Sequence, residues 1–236
     1  VFSALVRYDV TLNFDQAYLI ERIEKEALNV PGVAEAESWA FKTVRRQRPN
    51  DTESDAIQMY GIEPGTDLVK PNIVRGRWLL PADQNGVVVS LGLLNDETDL
   101  NVGDTFTIDI DDRESEWKIV GVFTSFSNDE LLAYANYPYF SRELREVGNA
   151  DRVNIVLDRH DPLYQSRMSQ RLEEHFRNVG LNVRTSDTAS NNLQRSVDQF
   201  NIIVYCLLIM AVLTALVGGV GLAGTMSMNV LERTRE

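Results

Sequence analysis

The stretch RVNIVLDRHDPLYQSRMSQRLEEHFRNVGLNVRT, Arg152 to Thr185, carries a complete strand, helix and strand in one run. Arg152 to Leu157 (RVNIVL) alternates as a half-buried strand does, and Asp161-Pro162 then supplies a helix cap followed by a proline at the first helical position. The helix is expected over Leu163 to Arg177; Gly180 ends it, and Leu181 to Thr185 reads as the next strand. The same grammar occurs at the start of the chain. Arg7 to Asn13 (RYDVTLN) alternates. Gln16 to Leu28 places Leu19, Ile20, Ile23, Ala27 and Leu28 at helical spacing, Asn29-Val30-Pro31-Gly32 stops the helix, and Val33 to Trp39 alternates again. Two βαβ-type modules related in pattern, though not in identity, predict one small α/β sandwich built from both ends of the chain.

Between the modules the texture changes. Ala56 to Ile62, Val87 to Val89, Thr105 to Ile110 and Trp117 to Phe123 are short β-rich runs separated by Gly, Pro, Asn and Asp. The last two bracket Asp111 to Glu116 as a hairpin. The fold class is therefore α+β: residues 1–47 and 148–188 as the two halves of one subdomain, with an inserted, mostly β subdomain over 48–147.

After the second module the chain turns apolar. Ser190 to Gln199 is polar with helical spacing, giving a stalk over 189–201, and from Gln199 to Leu231 no side chain is charged. An apolar helix of about 20 residues spans a bilayer core, because it keeps its backbone hydrogen bonds internal where no water can satisfy them. A transmembrane helix is expected over 202–231, with 232–236 beginning the far side. Ala215, Gly219, Ala223 and Ser227 recur every four residues, a smooth face suited to packing against another membrane helix. The apolar Val1 to Val6 reads as the tail of an upstream element, and Val230 to Glu236 contains no helix stop. Both ends suggest a segment of a larger membrane protein.

Net charge is −12, from 23 Lys+Arg against 35 Asp+Glu. Glu232 and Glu236 balance Arg233 and Arg235, so the −12 belongs to the region before the span. Such a domain repels nucleic acid, and nucleic-acid binding is not expected. Cys206, the single cysteine, lies in the apolar run and leaves the remainder without thiol chemistry. The sequence has no phosphate-binding loop, nucleophile elbow or H-E-x-x-H. His160 and His175 stand apart without cysteine or clustered carboxylates at metal spacing. Asp109, Asp111 and Asp112 superficially suggest a calcium loop, but Glu114 occupies its glycine position and the segment reads as a solvated hairpin tip. Glu24 with Glu26, and Glu173 with Glu174, read as solvated helix faces. Gly76-Arg77-Trp78 sets an aromatic beside an arginine in a turn, either as a grip or as a core anchor. No catalytic residue, cofactor or metal site is expected.

The segment ALVGGVGLAGTMSMNVLERTRE, Ala215 to Glu236, resembles the FtsX/MacB-like family of ABC transporter permeases, whose glycine-rich membrane helix ends in an E-R-T-R-E type motif at the cytosolic face. Gly61-Ile62-Glu63-Pro64, Gly76-Arg77-Trp78, Gly86 to Ser90 and Leu100 to Thr105 resemble the same family's extracytoplasmic domain. The resemblance implies a porter-like subdomain from the two βαβ modules, a sabre-like inserted subdomain, and a position in the plasma or inner membrane with most of the chain extracytoplasmic. It also implies a cytosolic ABC ATPase, separate or fused, a second permease copy or homologue as dimer partner, and an extracytoplasmic protein or lipophilic substrate. Glu232, Arg233 and Arg235 would begin the ATPase-coupling side. The implied work is substrate export, lipoprotein release or partner activation by mechanotransmission, in which movement and not cargo crosses the bilayer. The residues alone leave a second reading open, an extracellular ligand-binding sensor anchored by a single span. A permease continues into further spans; a sensor continues into a coiled coil or kinase linker.

Overall fold

The structure, a computed structural model, describes residues 6–111, 113–125, 130–191, 201 and 203–218. In chain order the elements are β1 (Val10–Leu19), α1 (Ile20–Leu28), β2 (Val33–Gln47), β3 (Ile57–Ile62), β4 (Asn72–Gly76), β5 (Gly86–Ser90) and α2 (Leu91–Asp96). There follow β6 (Thr105–Asp109), β7 (Glu114–Thr124), β8 (Leu132–Asn136), α3 (Tyr137–Leu144), β9 (Asn149–Leu157), α4 (Pro162–Asn178) and β10 (Val183–Thr188). The chain divides into two units, Val1–Ser190 and Asn191–Glu236.

In the first unit the strands form one mixed sheet in the order β10-β1-β9-β2-β3-β8-β5-β7-β4, with β6 pairing both β2 and β7. The two βαβ units interleave. β9 lies between β1 and β2, antiparallel to both, and β1 lies between β9 and β10, again antiparallel to both. Each unit thus makes its crossover around a strand of the other, the split βαβ arrangement. Helices α1 and α4 cover one face. Val10, Leu12, Phe14, Val153, Ile155 and Leu157 from the strands meet Ile23, Ala27, Met168, Leu172 and Phe176 from the helices in one buried cluster. Burying a large apolar side chain stabilises by roughly 1.5–3 kcal/mol, so this face is what seats the helices.

The intervening segment closes on the C-terminal half of β2. β2 pairs with β3, β3 with β8, β8 with β5, β5 with β7, β7 with β6, and β6 with β2 again, giving a six-stranded ring without a free edge along that circuit. Trp117, Ile108, Ile119, Met59, Val87 and Val89 fill it, and Phe140 of α3 and Leu93 of α2 join the same cluster. β4 hangs on the C-terminal part of β7 as an edge strand. The fold is mixed α/β with a large sheet.

Several local details differ from the sequence expectation. β1 begins at Val10 and continues to Leu19, so the helix starts at Ile20 and not Gln16. Past a register shift after Asn13, β9 offers Ala150 and Asn149 as partners for Tyr18 and Leu19, and this pairing overrides the helical spacing; Leu19 and Leu28 consequently face solvent. Two short helices also interrupt the β-rich region. α2 is capped by Ser90, whose Oγ accepts from the Leu93 amide, and α3 carries Pro138 in its first turn and ends at Arg145, whose φ of 60° is left-handed. α4 matches its sequence signals: Asp161 is the N-cap, accepting from the Tyr164 amide at 3.0 Å.

In the second unit residues 203–218 are helical, and their described side chains are exposed, Ile203, Leu207, Met210, Leu213 and Val217 among them. Among the described residues no helix is long and apolar enough to cross a membrane. Of the span expected over 202–231, residues 202 and 219–231 lie outside the described residues, as do 192–200 of the stalk.

Candidate functional site

Of the packing and coupling residues expected from the sequence, only Ala215 is among the described residues. Ala215 is an exposed position of the 203–218 helix, while Gly219, Ala223, Ser227, Glu232, Arg233 and Arg235 lie outside the described residues. Among the described residues, two places in the first unit join distant strands through buried polar groups.

The first ties the start of β1 to the end of β10. Asp9 is buried, and its carboxylate accepts from the Leu157 amide at 2.8 Å and from Gln165 Nε2 at 2.8 Å, with His160 Nδ1 2.9 Å away. Gln165, buried on the inner face of α4, turns its Oε1 to the Ser190 amide at 3.2 Å and also to the Ser190 hydroxyl. The Ala189 amide donates to the Asp9 carbonyl at 2.9 Å. Incoming and outgoing chain are thus held by one buried carboxylate and one buried amide, whose removal would strand unpaired polar groups in the interior. His160 and His175 both find carboxylates, Asp9 and Glu26, from distant parts of the sequence. Among the described residues no group of three or more His, Cys, Asp or Glu could hold a metal ion.

The second is the point where β2 changes partners. Its N-terminal half pairs with β9 up to Trp39↔Arg152, and from Ala40 onward it pairs with β3. At such a switch a ladder amide is left over. The Phe41 amide donates instead to the Asp151 carboxylate at 2.8 Å. Burial outweighs that hydrogen bond and pushes the Asp151 carboxyl up to about 6. Arg152 lies 4.9 Å over the Tyr60 ring and 5.3 Å over Phe41, and its Nε donates to Asn13 at 2.7 Å. Trp39 meets Tyr8, Tyr60 and Tyr134 edge-on at centroid distances of 5.9, 6.3 and 6.3 Å. Edge-to-face contacts of this kind add about 0.5–1.5 kcal/mol each beyond area burial. The junction between the four-stranded part and the ring is therefore packed and hydrogen-bonded. Trp78, of the Gly76-Arg77-Trp78 turn, belongs to this packing, with its ring 5.7 Å from Tyr134.

Of the calcium-like aspartates, Asp111 pairs with Lys42 at 2.8 Å, and Asp112 lies outside the described residues. Glu24 accepts from the Ser38 amide at 2.9 Å, a role its helical position alone did not reveal. Arg46, Arg48, Glu97 and Asp99 form an ion-pair group at one end of the ring, and the Arg46 guanidinium holds the Asp99 carboxyl below its ordinary range. Gln165 was detectable in the sequence as a polar residue in phase with Met168, Leu172 and Phe176. Asp9 and Asp151 were not, since their roles come from strands distant in sequence.

No family model matches the sequence. The chain is 21% identical over 171 residues to an uncharacterized ABC transporter permease of Methanocaldococcus jannaschii, covering 70% of this chain and 41% of the permease. The chain thus spans less than half the length of that relative. Its fold is similar to the periplasmic region of MacB from Actinobacillus actinomycetemcomitans, with a TM-score of 0.53 at 12% identity over 81% of this chain and 92% of the other. It is similar also to the extracellular domain of the noncanonic ABC-type transporter YknZ from Gram-positive bacteria, with a TM-score of 0.51 at 14% identity over 76% and 98%. The fold is thus similar to that of the MacB periplasmic region and the YknZ extracellular domain. The resemblance to FtsX/MacB-like ABC transporter permeases first carried by Ala215 to Glu236 is thus met again, in sequence by one permease and in fold by two transporter domains.

Proposed function

We propose that the chain is the extracytoplasmic domain and adjoining second membrane helix of an FtsX/MacB-like ABC transporter permease, and that the domain carries movement between the membrane and the outside. The observation behind this reading is the continuity of β2. One strand runs through both halves of the sheet, a packed junction braces its change of partners, and a buried clamp holds the incoming and outgoing chain together. A lever needs that construction, whereas an active site needs convergent reactive groups. In this reading ATP is hydrolysed by a cytosolic ABC ATPase, separate or fused, which meets the permease on the side begun by Glu232, Arg233 and Arg235. Ala215, Gly219, Ala223 and Ser227 pack the helix against a neighbouring span, and two permease copies or homologues pair. The exposed apolar surface of residues 203–218 suits lipid or another span. The work delivered outside is substrate export, lipoprotein release or activation of an extracytoplasmic partner.

Purification of the parent protein from native membranes tests this reading. Recovery of an ATP-hydrolysing subunit, or of a fused ATPase domain, is the expected result. A parent with this single span followed by a signalling kinase, and no associated ATPase, would overturn it in favour of a sensor.

A further inference from the structure

In a chain of net charge −12, the run from Leu68 to Ala82 contains Lys70, Arg75 and Arg77 and no acidic residue. This run contains β4, the last strand along the sheet, which among the described residues pairs with β7 alone. An edge strand leaves alternate N–H and C=O groups without sheet partners. At Arg77, directly after β4, begins an open polar groove of about 420 Å³, bordered also by Asp83, Gln84, Asn85, Gly103 and Lys118. Arg77 is committed to Asp83 by two hydrogen bonds of 2.6 and 2.7 Å, and Lys70 pairs with Asp67. The Arg75 guanidinium and the Lys118 ammonium have no ion-pair partner among the described residues. Apolar side chains are interleaved with these charges: Val74 is 49% exposed, Leu80 50% and Val102 37%.

We propose that the β4 edge and its adjoining groove dock an extended acidic segment of a partner protein, added to the sheet as a further strand. Charge complementarity selects this occupant. Screening limits the field of the distant carboxylates to about 8–10 Å, so an approaching strand experiences the local cations and not the net −12. The same cations repel the identical edge of a second copy. Pro71 and the register shift between Ile73 and Arg75 further blunt the edge against self-pairing. Val74 and Leu80 would cover alternate apolar side chains of the incoming strand, the usual division in strand addition between backbone affinity and side-chain specificity. This inference does not depend on the transport reading, since it concerns a surface of the first unit alone.

The test uses the full chain in detergent micelles and a fluorescent peptide of about ten alternating Glu and Val residues, a length that matches a strand. Binding is expected to weaken about tenfold or more in the Arg75→Glu, Lys118→Glu double variant, with the same direction in Arg75→Gln, Lys118→Gln, where side-chain bulk and polarity are kept. A peptide N-methylated at alternate residues along one edge should also bind about tenfold or more weakly, because strand addition needs its amides. Equal binding to the charge variants, equal binding by the methylated peptide, or binding of phosphatidylglycerol vesicles with no binding of the peptide would each overturn the proposal.

Discussion

Asp151 shows how a fold of this kind satisfies a backbone group that its own ladder abandons. The Phe41 amide emerges where β2 leaves β9 for β3, and a half-buried carboxylate meets it at 2.8 Å. Because burial pushes this carboxyl up to about 6, the folded state holds the proton more tightly than the unfolded chain, whose Asp titrates near the ordinary 3.8. The favourable contribution is therefore complete below pH 3.8 and is lost as pH rises through about 6. Asp151→Asn keeps an oxygen for the Phe41 amide and removes the titration. Relative to the unchanged protein, the variant should gain about 1–3 kcal/mol between pH 4 and pH 8. Urea unfolding at the two values measures this; a pH-independent difference would show that Asp151 does not titrate in this range. Glu37, also raised by burial while accepting from Trp39 and Thr66, contributes with the same sign to both proteins and cancels in the comparison.

At the scale of elements, caps and buried polar anchors decide what holds. Asp161→Ala removes the side-chain acceptor of the Tyr164 amide and should cost about 1 kcal/mol, read as a fall in the thermal midpoint. Gln165→Ala should act more locally. It frees the Ser190 amide, which ought to exchange with solvent faster in hydrogen-exchange measurements, while the Ala189 amide, donating to the Asp9 carbonyl, stays protected. Equal acceleration at both amides would mean that Asp9 and Gln165 do not form separable halves of the clamp. Elements with local signals were readable in the sequence: α4 with its Asp-Pro start and Gly180 after it, and the β6–β7 hairpin, although β7 already begins at Glu114, inside the turn expected over Asp111 to Glu116. Elements decided at long range were not. β1 extends to Leu19 because β9 waits for it from the other end of the chain. In α2, Leu91 to Asp96, six residues are too few to display a helical period. The ring closure through β6 has no sequence signature, since it depends on β2 being long enough to pair with β3 and then with β6. The clamp and the junction are visible only in space, because Asp9, Gln165, Asp151 and Phe41 meet across strands distant in sequence.

For the whole molecule, the proposed mechanism requires the first unit to move as one body when ATP is consumed on the other side of the membrane. Continuous β2, the aromatic packing around Trp39 and the Asp9 clamp all oppose internal bending. Arg184 on β10 and Glu116 on β7 are exposed positions in the four-stranded part and in the ring. With Cys206→Ser in the background, spin labels at Arg184→Cys and Glu116→Cys in the parent permease, assembled with its ATPase, report both motions by pulsed electron-electron resonance. On ATP binding the Arg184 to Arg184 distance between two copies is expected to change while the Arg184 to Glu116 distance within one copy does not. An unchanged distance between copies, or a changed distance within one, would contradict the proposed mechanism.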